Sequence, residues 1–372
     1  MKVFHCDHCG NLLFFENTQC VRCGQLVAFL PDLAIVGSLD SNNDQTAAKP
    51  GTWRSPLKAA EGKTYRLCRN YSVEQICNWT VDDDDPNELC VSCRLTRVIP
   101  DLTAGGHKPA WYRLEVAKRR LVFTLLRLKL PIVSRDEDPE NGLTFEFKSD
   151  TPDGQVLTGH SSGLITINIA EADDAERERR RTSLHEPFRT LAGHFRHESG
   201  HYYWDRLIGG RGAHDAFRAR FGDERPDYGA ALQTYYAQGP RADWQGAYIS
   251  AYASSHPLED WAETWAHYLH MVDTLETTAA CGMSLQPRRP DEPSLSRVSP
   301  YVVSPDAPFD QLIDSWYAVT YLLNNLNRGM GFSDAYPFVW SPPAIDKLKF
   351  AHETVRDASR ATRDSEFRSV RL

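Results

Sequence analysis

The sequence predicts an α+β fold, in which an N-terminal region of small cysteine-rich modules precedes a mainly helical domain with a small sheet. Three observations lead to this prediction. Eight of the nine cysteines lie within the first 93 residues. Later in the chain, apolar residues recur at helical spacing over several long stretches. Two short stretches between these helices alternate apolar and polar residues, as half-buried strands do.

Length and charge narrow the class of protein. The chain has 372 residues, of which 41% are hydrophobic, so it can bury a large domain and a smaller one. A formal net charge of −8 disfavours a generally basic surface that binds phosphate backbones. The N-terminus "MKVFHCDHCG" has no apolar segment typical of a signal peptide, and no apolar run is long enough to cross a membrane. We therefore expect a cytoplasmic protein.

The first cysteine module is predicted at residues 1–30 and resembles a zinc ribbon in its spacing. It contains two C-x-x-C pairs, each followed by a glycine that relieves a tight backbone turn. Two such pairs supply the four sulfurs of a tetrahedral zinc site, and in a reducing compartment they favour metal binding over disulfides. The predicted ligands of this structural zinc are Cys6, Cys9, Cys20 and Cys23.

A linker and a second cysteine module are predicted next. Residues 31–66 contain the polar stretch "GSLDSNNDQTAAKPG" and are expected to be irregular, with little packing. Residues 67–105 supply four more cysteines but only one C-x-x-C pair, which predicts a second structural zinc. Its ligands would be Cys68, Cys77, Cys90 and Cys93. The alternative is that Cys68 and Cys77 are ordinary buried thiols.

The main domain is predicted over residues 110–372. It opens with an amphipathic helix, "WYRLEVAKRRLVFTLLRLKLP", that Pro131 ends. The stretches "LTFEFKSD" and "GLITINIAEAD" follow as strands. Two further helical stretches lie beyond residue 300. The ninth cysteine, Cys281, is expected to be a small buried residue.

A pair of histidines in "GHFRHESGHYYWDRL" carries the main functional signal. We predict one helix from Pro187 to Ile208, on which residues four apart share a face, so that His197 and His201 can bind one metal ion. Glu198 then lies beside a water on that metal and can accept its proton. The alternative is that both histidines are satisfied core residues.

The segment "HPLEDWAETWAHYLHM" contains candidates for a third ligand. His256 and Pro257 mark the start of a helix there. Glu259 and Glu263 are four apart and share one face of this helix. A catalytic zinc needs three protein ligands and an open position for water. Two carboxylates on one face suit a ligand and a hydrogen-bond partner of a ligand.

These motifs resemble those of the gluzincin metallopeptidases. His197-Glu-Ser-Gly-His201, followed by a tyrosine, six residues, a glutamate and a second glutamate four further on, resembles the catalytic part of anthrax lethal factor. With the cysteine-rich start, nearly the whole chain is similar to a bacterial family of zinc-ribbon, zinc-binding metallopeptidases. The resemblance implies a zincin-like domain. It also implies zinc ligands and supporting residues, namely His197, His201 and Glu259 on zinc, Glu198 as general base, Glu263 orienting a ligand histidine, and Tyr252 stabilising the oxyanion.

The sequence leaves several assignments open. Glu263 is an alternative ligand, with Glu259 exposed. Asp205 is an alternative hydrogen-bond partner of a ligand histidine. Tyr252 is alternatively a surface aromatic residue, in which case Tyr248 is the next phenol to consider. A histidine ligand at His267 is the weakest alternative, because at least a helix turn separates it from Glu259.

We conclude that the sequence predicts a zinc-dependent peptidase with one catalytic and two structural zinc ions. Its expected partners are a protein or peptide substrate and, through the zinc ribbons, a protein or nucleic acid. One rival is a binding or regulatory protein whose metal site is only structural or vestigial. A second rival is a zinc hydrolase that acts on substrates other than peptides.

Overall fold

A computed structural model describes residues 2–41, 51–152, 154–177, 179, 190–296, 303–336 and 339–369. The fold is α+β, as predicted, with 46% helix and 14% strand. Contacts divide the chain into two compact units. The first comprises residues 1–127, 133–158 and 164–173, and the second comprises residues 128–132, 159–163 and 174–372. The domain limits given above stay a prediction.

The cysteine-rich part of the first unit consists of short strands. Two antiparallel pairs come first, formed by β1 (Phe4–His5) with β2 (Leu12–Leu13) and by β3 (Val27–Leu30) with β4 (Ile35–Ser38). An antiparallel sheet of four strands follows, in the order β5 (Asp40–Ser41), β6 (Thr52–Arg54), β7 (Tyr65–Leu67) and β8 (Thr80–Asp82).

The segment 31–66 differs from its prediction. Its described part contributes strands β4 to β7 rather than irregular chain, and Leu39 and Tyr65 are each only 1% exposed. The polar composition hid these strands, because they are two to four residues long and too short for a periodic pattern. Residues 42–50, within the predicted polar connector, lie outside the described residues.

The rest of the first unit combines a long helix with a parallel sheet. A single helical turn, α1 (Arg69–Ser72), precedes β9 (Thr96–Val98) and α2 (His107–Arg127). Strands β10 (Thr144–Lys148) and β12 (Leu164–Asn168) are parallel, and β9 pairs in parallel with β10. The predicted helix and both predicted strands are present, although the helix ends at Arg127 rather than at Pro131. Aromatic rings from Phe15, Phe29, Trp79 and Phe123 meet in the core, with centroids 4.4–6.2 Å apart.

The second unit is mainly helical. A short strand, β11 (Gly159–Ser161), belongs to it. Within the described residues, its helices of eight or more residues are α3 (Leu191–Leu207), α4 (His214–Phe221), α5 (Tyr228–Gln238), α6 (Pro257–Ala280), α7 (Phe309–Gly329) and α8 (Pro342–Ser369). The motif helix α3 begins at Leu191 because Thr190 caps it by accepting a hydrogen bond from the Gly193 amide. Residues 187–189 of the predicted helix lie outside the described residues.

Helices α3 and α6 cross at very short range. A Cβ atom on Gly200 would lie 2.9 Å from the Cα atom of Ala262, so only glycine fits there without a shift. The indole of Trp261 donates to the Gly200 carbonyl at 2.8 Å, and the indole of Trp265 donates to the Ser199 hydroxyl at 3.2 Å. The two small residues between the histidines therefore let α6 approach α3 closely.

Two other predictions concern the ninth cysteine and membrane-spanning segments. Cys281 is exposed, so the prediction of a buried thiol is wrong. The reason is its position, because Cys281 is the C-terminal cap that directly follows the last turn of α6. None of the helices in the described ranges is long and apolar enough to span a membrane.

Candidate metal centres and active site

The first cysteine cluster brings together the four predicted sulfurs. Its ligand atoms all lie within 4.8 Å of one another, and the pairs Cys6–Cys23 and Cys9–Cys20 are each 3.6 Å apart. A tetrahedral zinc site with bonds of about 2.3 Å would separate its sulfurs by about 3.8 Å. The glycines after each pair adopt left-handed conformations, with φ of +69° at Gly10. The residues fit a zinc ion.

The second cluster, Cys68, Cys77, Cys90 and Cys93, is wholly buried. The sulfurs of Cys77 and Cys90 are 3.8 Å apart, and the backbone amides of Trp79, Cys90 and Cys93 each donate to a cluster sulfur at 3.4 Å. The buried guanidinium of Arg119 interacts electrostatically with these thiols. Amide donors and a cation stabilise thiolates rather than thiols, so this cluster also fits zinc.

A third cluster joins the motif helix to α6. His197 and His201 lie one turn apart on α3, and Glu259 lies in the first turn of α6. The Nε2 atom of His197 is 3.0 Å from Oε2 of Glu259, and the Nε2 atom of His201 is 3.5 Å from Oε1. Ligand atoms of all three residues lie within 4.8 Å of one another.

The spacing of these donor atoms fits a zinc ion. Nitrogen and oxygen ligands about 2.0–2.1 Å from zinc are separated by about 3.3 Å in a tetrahedron. Oε2 of Glu259 is buried and accepts no aligned hydrogen bond from the described residues, although Nε2 of His197 is 3.0 Å away. A cation beside both atoms would coordinate this oxygen and the neighbouring imidazole nitrogen. The three residues thus supply three of the four donors that a tetrahedral zinc ion takes.

Glu263 contacts the same site through a ligand histidine. Its Oε1 atom accepts a hydrogen bond from Nδ1 of His197 at 2.8 Å, which directs Nε2 towards Glu259. Its Oε2 atom accepts from the hydroxyl of Ser250 at 2.6 Å. The geometry therefore favours Glu259 as the ligand and Glu263 as the orienting residue, and the alternative partner Asp205 is exposed.

The surroundings of His197 and His201 shift the pKa values of the two imidazoles in opposite directions. Burial lowers the pKa of His201 to about 4, so its imidazole is neutral at pH 7. Burial also opposes a charge on His197, but Glu259 and Glu263 outweigh it and raise its pKa well above the usual range. Burial similarly acts on Glu259, yet both histidines and the Tyr228 hydroxyl lower its pKa to about 2. Metal binding here would displace a proton from His197.

The two other predicted catalytic residues also lie in this region. Glu198 is buried and follows His197 on α3. The ring of Tyr252 lies 5.9 Å from the ring of His197, between centroids, and 5.6 Å from that of Tyr235. Burial and the nearby Glu259 carboxylate raise the pKa of Tyr252 well above its usual range, so the phenol keeps its proton.

Two residues that donate hydrogen bonds to Glu259 and Glu263 are not predicted from the sequence. The sequence does not identify Ser250 as a site residue, because a single serine shows no regular spacing from Glu263. Tyr228 opens α5, and its hydroxyl donates to Oε1 of Glu259. Its ring packs against His256, the cap of α6, with centroids 5.2 Å apart. The helix start after Asp227 was detectable as a capping signal, but this contact was not.

Comparison with known proteins agrees with this layout. A family model described as "putative zinc-binding metallo-peptidase" matches residues 107–354, more than half of the chain. The chain belongs to this metallopeptidase family. A model described as a zinc-ribbon domain matches residues 3–104. Uncharacterized proteins of Mycobacterium bovis and of two Mycobacterium tuberculosis strains are 41% identical over 361 residues, which is 96% of each chain. No solved structure matches significantly.

Proposed function

We propose that this metallopeptidase is of gluzincin type and hydrolyses peptide bonds, with one catalytic and two structural zinc ions. The cluster of His197, His201 and Glu259 carries the proposal, because their ligand atoms lie within 4.8 Å of one another. Three protein ligands are the number that a catalytic zinc takes, with the fourth position left for water. A zinc ion bound there supplies Lewis acidity, which lowers the pKa of water and polarises a carbonyl.

Glu198 acts as the general base in this proposal. Its carboxylate accepts a proton from the attacking water and returns it to the leaving amine. Two observations support the role. Glu198 directly follows the ligand His197 on α3, and it interacts electrostatically with Tyr228, the residue that also binds Glu259. Both observations place Glu198 close to residues of the proposed zinc site.

Tyr252 and Glu263 complete the proposed site. The phenol of Tyr252 keeps its proton and lies beside the ring of His197, so it can donate to the negative oxygen that develops on the substrate. Glu263 fixes the ring of His197 and its tautomer by accepting from Nδ1. In this proposal neither Tyr252 nor Glu263 binds the metal.

The remaining parts of the proposal concern partners and location. The substrate is a protein or peptide, and the zinc ribbons dock a protein or nucleic-acid partner. Exposed apolar side chains in the first module, Phe14 at 67% and Val21 at 84%, support docking. A cytoplasmic location suits eight free cysteines arranged as ligands, because that compartment keeps thiols reduced.

The variant Glu198→Gln tests the proposed reaction. We expect it to keep the zinc content of the wild type and to cleave denatured casein about 10²- to 10⁴-fold more slowly. Glu353→Gln, a half-exposed glutamate on α8, is the matched control and should cleave at the wild-type rate. Zinc is measured by elemental mass spectrometry and cleavage by peptide mass spectrometry.

Two outcomes would overturn the proposal. Equal cleavage by the wild type and Glu198→Gln would remove the general base. Failure of the zinc-loaded wild type to cleave denatured proteins would favour a binding protein, whereas cleavage of small amides alone would favour the non-peptide hydrolase.

A further inference from the structure

One histidine outside the predicted site lies directly beside it. His160 belongs to β11, a strand that contacts the motif helix α3. Its ring is nearly parallel to that of His201, with an interplanar angle of 16° and centroids 6.0 Å apart. The sequence gives no hint of this contact, because His160 lies 41 residues before His201 and outside any ligand spacing.

A backbone hydrogen bond fixes the tautomer of His160. The amide of Gly163 donates to Nε2 at 3.0 Å, so Nε2 carries no proton and the neutral ring is protonated at Nδ1. The turn makes this contact possible, because Ser162 and Gly163 both have positive φ, at +47° and +78°. The Gly163 amide thereby points back at the ring.

The Nδ1 hydrogen of His160 has no acceptor among the residues that the structure describes. The residue as a whole is half-buried. A donor held in one orientation and left without a protein partner is suited to a ligand that carries an acceptor. The acceptor must bind close to His201, because the two rings are adjacent.

We propose that His160 binds the substrate by donating from Nδ1 to a main-chain carbonyl near the scissile bond. The inference rests on the proposed function, since it requires a peptide in the site. An extended peptide rises about 3.3 Å per residue, so a carbonyl one or two residues from the reacting bond lies about 3–7 Å from it. The ring of His160 lies 6.0 Å from that of the proposed ligand His201, so a carbonyl at this distance from the reacting bond can come within its reach.

Two conservative variants separate this role from a structural one. In His160→Asn the amide nitrogen can take the position of Nδ1, which keeps the donor to substrate. In His160→Gln the side-chain oxygen can reach the position of Nε2, which keeps the acceptor for Gly163. A binding role therefore predicts that the asparagine variant resembles the wild type and the glutamine variant is impaired. A purely structural role predicts the opposite order.

The experiment measures cleavage of denatured casein by the zinc-loaded full-length proteins. We expect His160→Gln to raise KM about two- to tenfold with kcat unchanged, and His160→Asn to stay within about twofold of the wild type. Zinc content and thermal unfolding should be the same for all three proteins. A higher KM for the asparagine variant than for the glutamine variant overturns the inference.

Cleavage by the wild type and by Glu198→Gln, and the NMR spectrum of the ring, distinguish failure of this inference from failure of the proposed function. If the wild type cleaves casein and Glu198→Gln does not, the function holds and the variant pair alone decides the role of His160. If the wild type cleaves nothing, the proposed function fails and the inference fails with it. Long-range ¹H–¹⁵N spectra of histidine-labelled protein test the tautomer directly, and a ring protonated at Nε2 overturns the inference whatever the activity.

Discussion

The cysteine clusters of the first unit and the histidine–glutamate cluster of the second unit have different chemical designs. Each cysteine cluster has four sulfurs, a number that fills a tetrahedral zinc site. The cluster of His197, His201 and Glu259 has three donors, and Glu198 and Tyr252 beside it are the residues proposed to accept and donate protons. Four protein ligands fill the coordination shell of a zinc ion, which suits a zinc that stabilises the fold. Three protein ligands leave one position for a water or a substrate.

The largest expected effect is on folding. Cys90→Ser removes a ligand from the wholly buried cluster, and we expect the first unit to lose cooperative unfolding, because structural zinc binds with about 10–16 kcal/mol in small domains. His201→Ala removes a ligand from the open site and should change the free energy of unfolding by less than about 2 kcal/mol. Thermal unfolding measures both. Equal destabilisation would contradict the distinction between the two kinds of site.

The next effect is on turnover. Tyr252→Phe removes the proposed oxyanion donor, and we expect kcat to fall about 10²- to 10³-fold with zinc content unchanged. Tyr248→Phe is the matched control, because its ring lies over Lys347, with 4.3 Å between Nζ and the ring centroid. If Tyr248→Phe loses turnover and Tyr252→Phe keeps it, the phenol has been assigned to the wrong residue.

A smaller effect is expected on zinc affinity at the open site. Glu263→Gln weakens the hydrogen bond that orients His197, so zinc should bind there about 10- to 100-fold more weakly. Asp205→Asn, the other candidate partner, should leave the affinity unchanged. Competition with a chromogenic chelator measures both constants. Loss of affinity in the aspartate variant alone would transfer the orienting role to Asp205.

The smallest effect concerns the helix crossing that brings the ligands together. Gly200→Ala introduces a Cβ 2.9 Å from the Ala262 Cα atom, and we expect it to destabilise the second unit by about 1–3 kcal/mol. Gly229→Ala, exposed on α5 with an ordinary 3.5 Å contact between the new Cβ and Oδ1 of Asp227, should instead stabilise by up to about 1 kcal/mol through helix propensity. Denaturant titration gives both values. A stabilising Gly200→Ala would disprove the tight crossing.

The sequence predicts the parts of the site that depend on local periodicity. Residues four apart on a helix share a face, so the pairing of His197 with His201 and of Glu259 with Glu263 follows from spacing alone. The distinct roles of Glu259 and Glu263 depend instead on how α3 crosses α6. That crossing is set by packing between side chains far apart in the chain, such as Trp261 against Gly200.

Other features had no local signal. Tyr228, Ser250 and His160 reach the site from a helix start, a loop and a short strand, each through contacts between distant positions in the chain. The strands within residues 31–66 are too short to show an alternating pattern. The exposure of Cys281 depends on where α6 ends, and helix ends are the least predictable part of an element.

Zinc stoichiometry tests the central claim most directly, namely that two closed sites and one open site coexist in one chain. Elemental mass spectrometry of the wild type should give three zinc ions per chain, and the double variant His197→Ala, His201→Ala should give two while the first unit stays folded. Three ions in the double variant, or two in the wild type, would contradict the account.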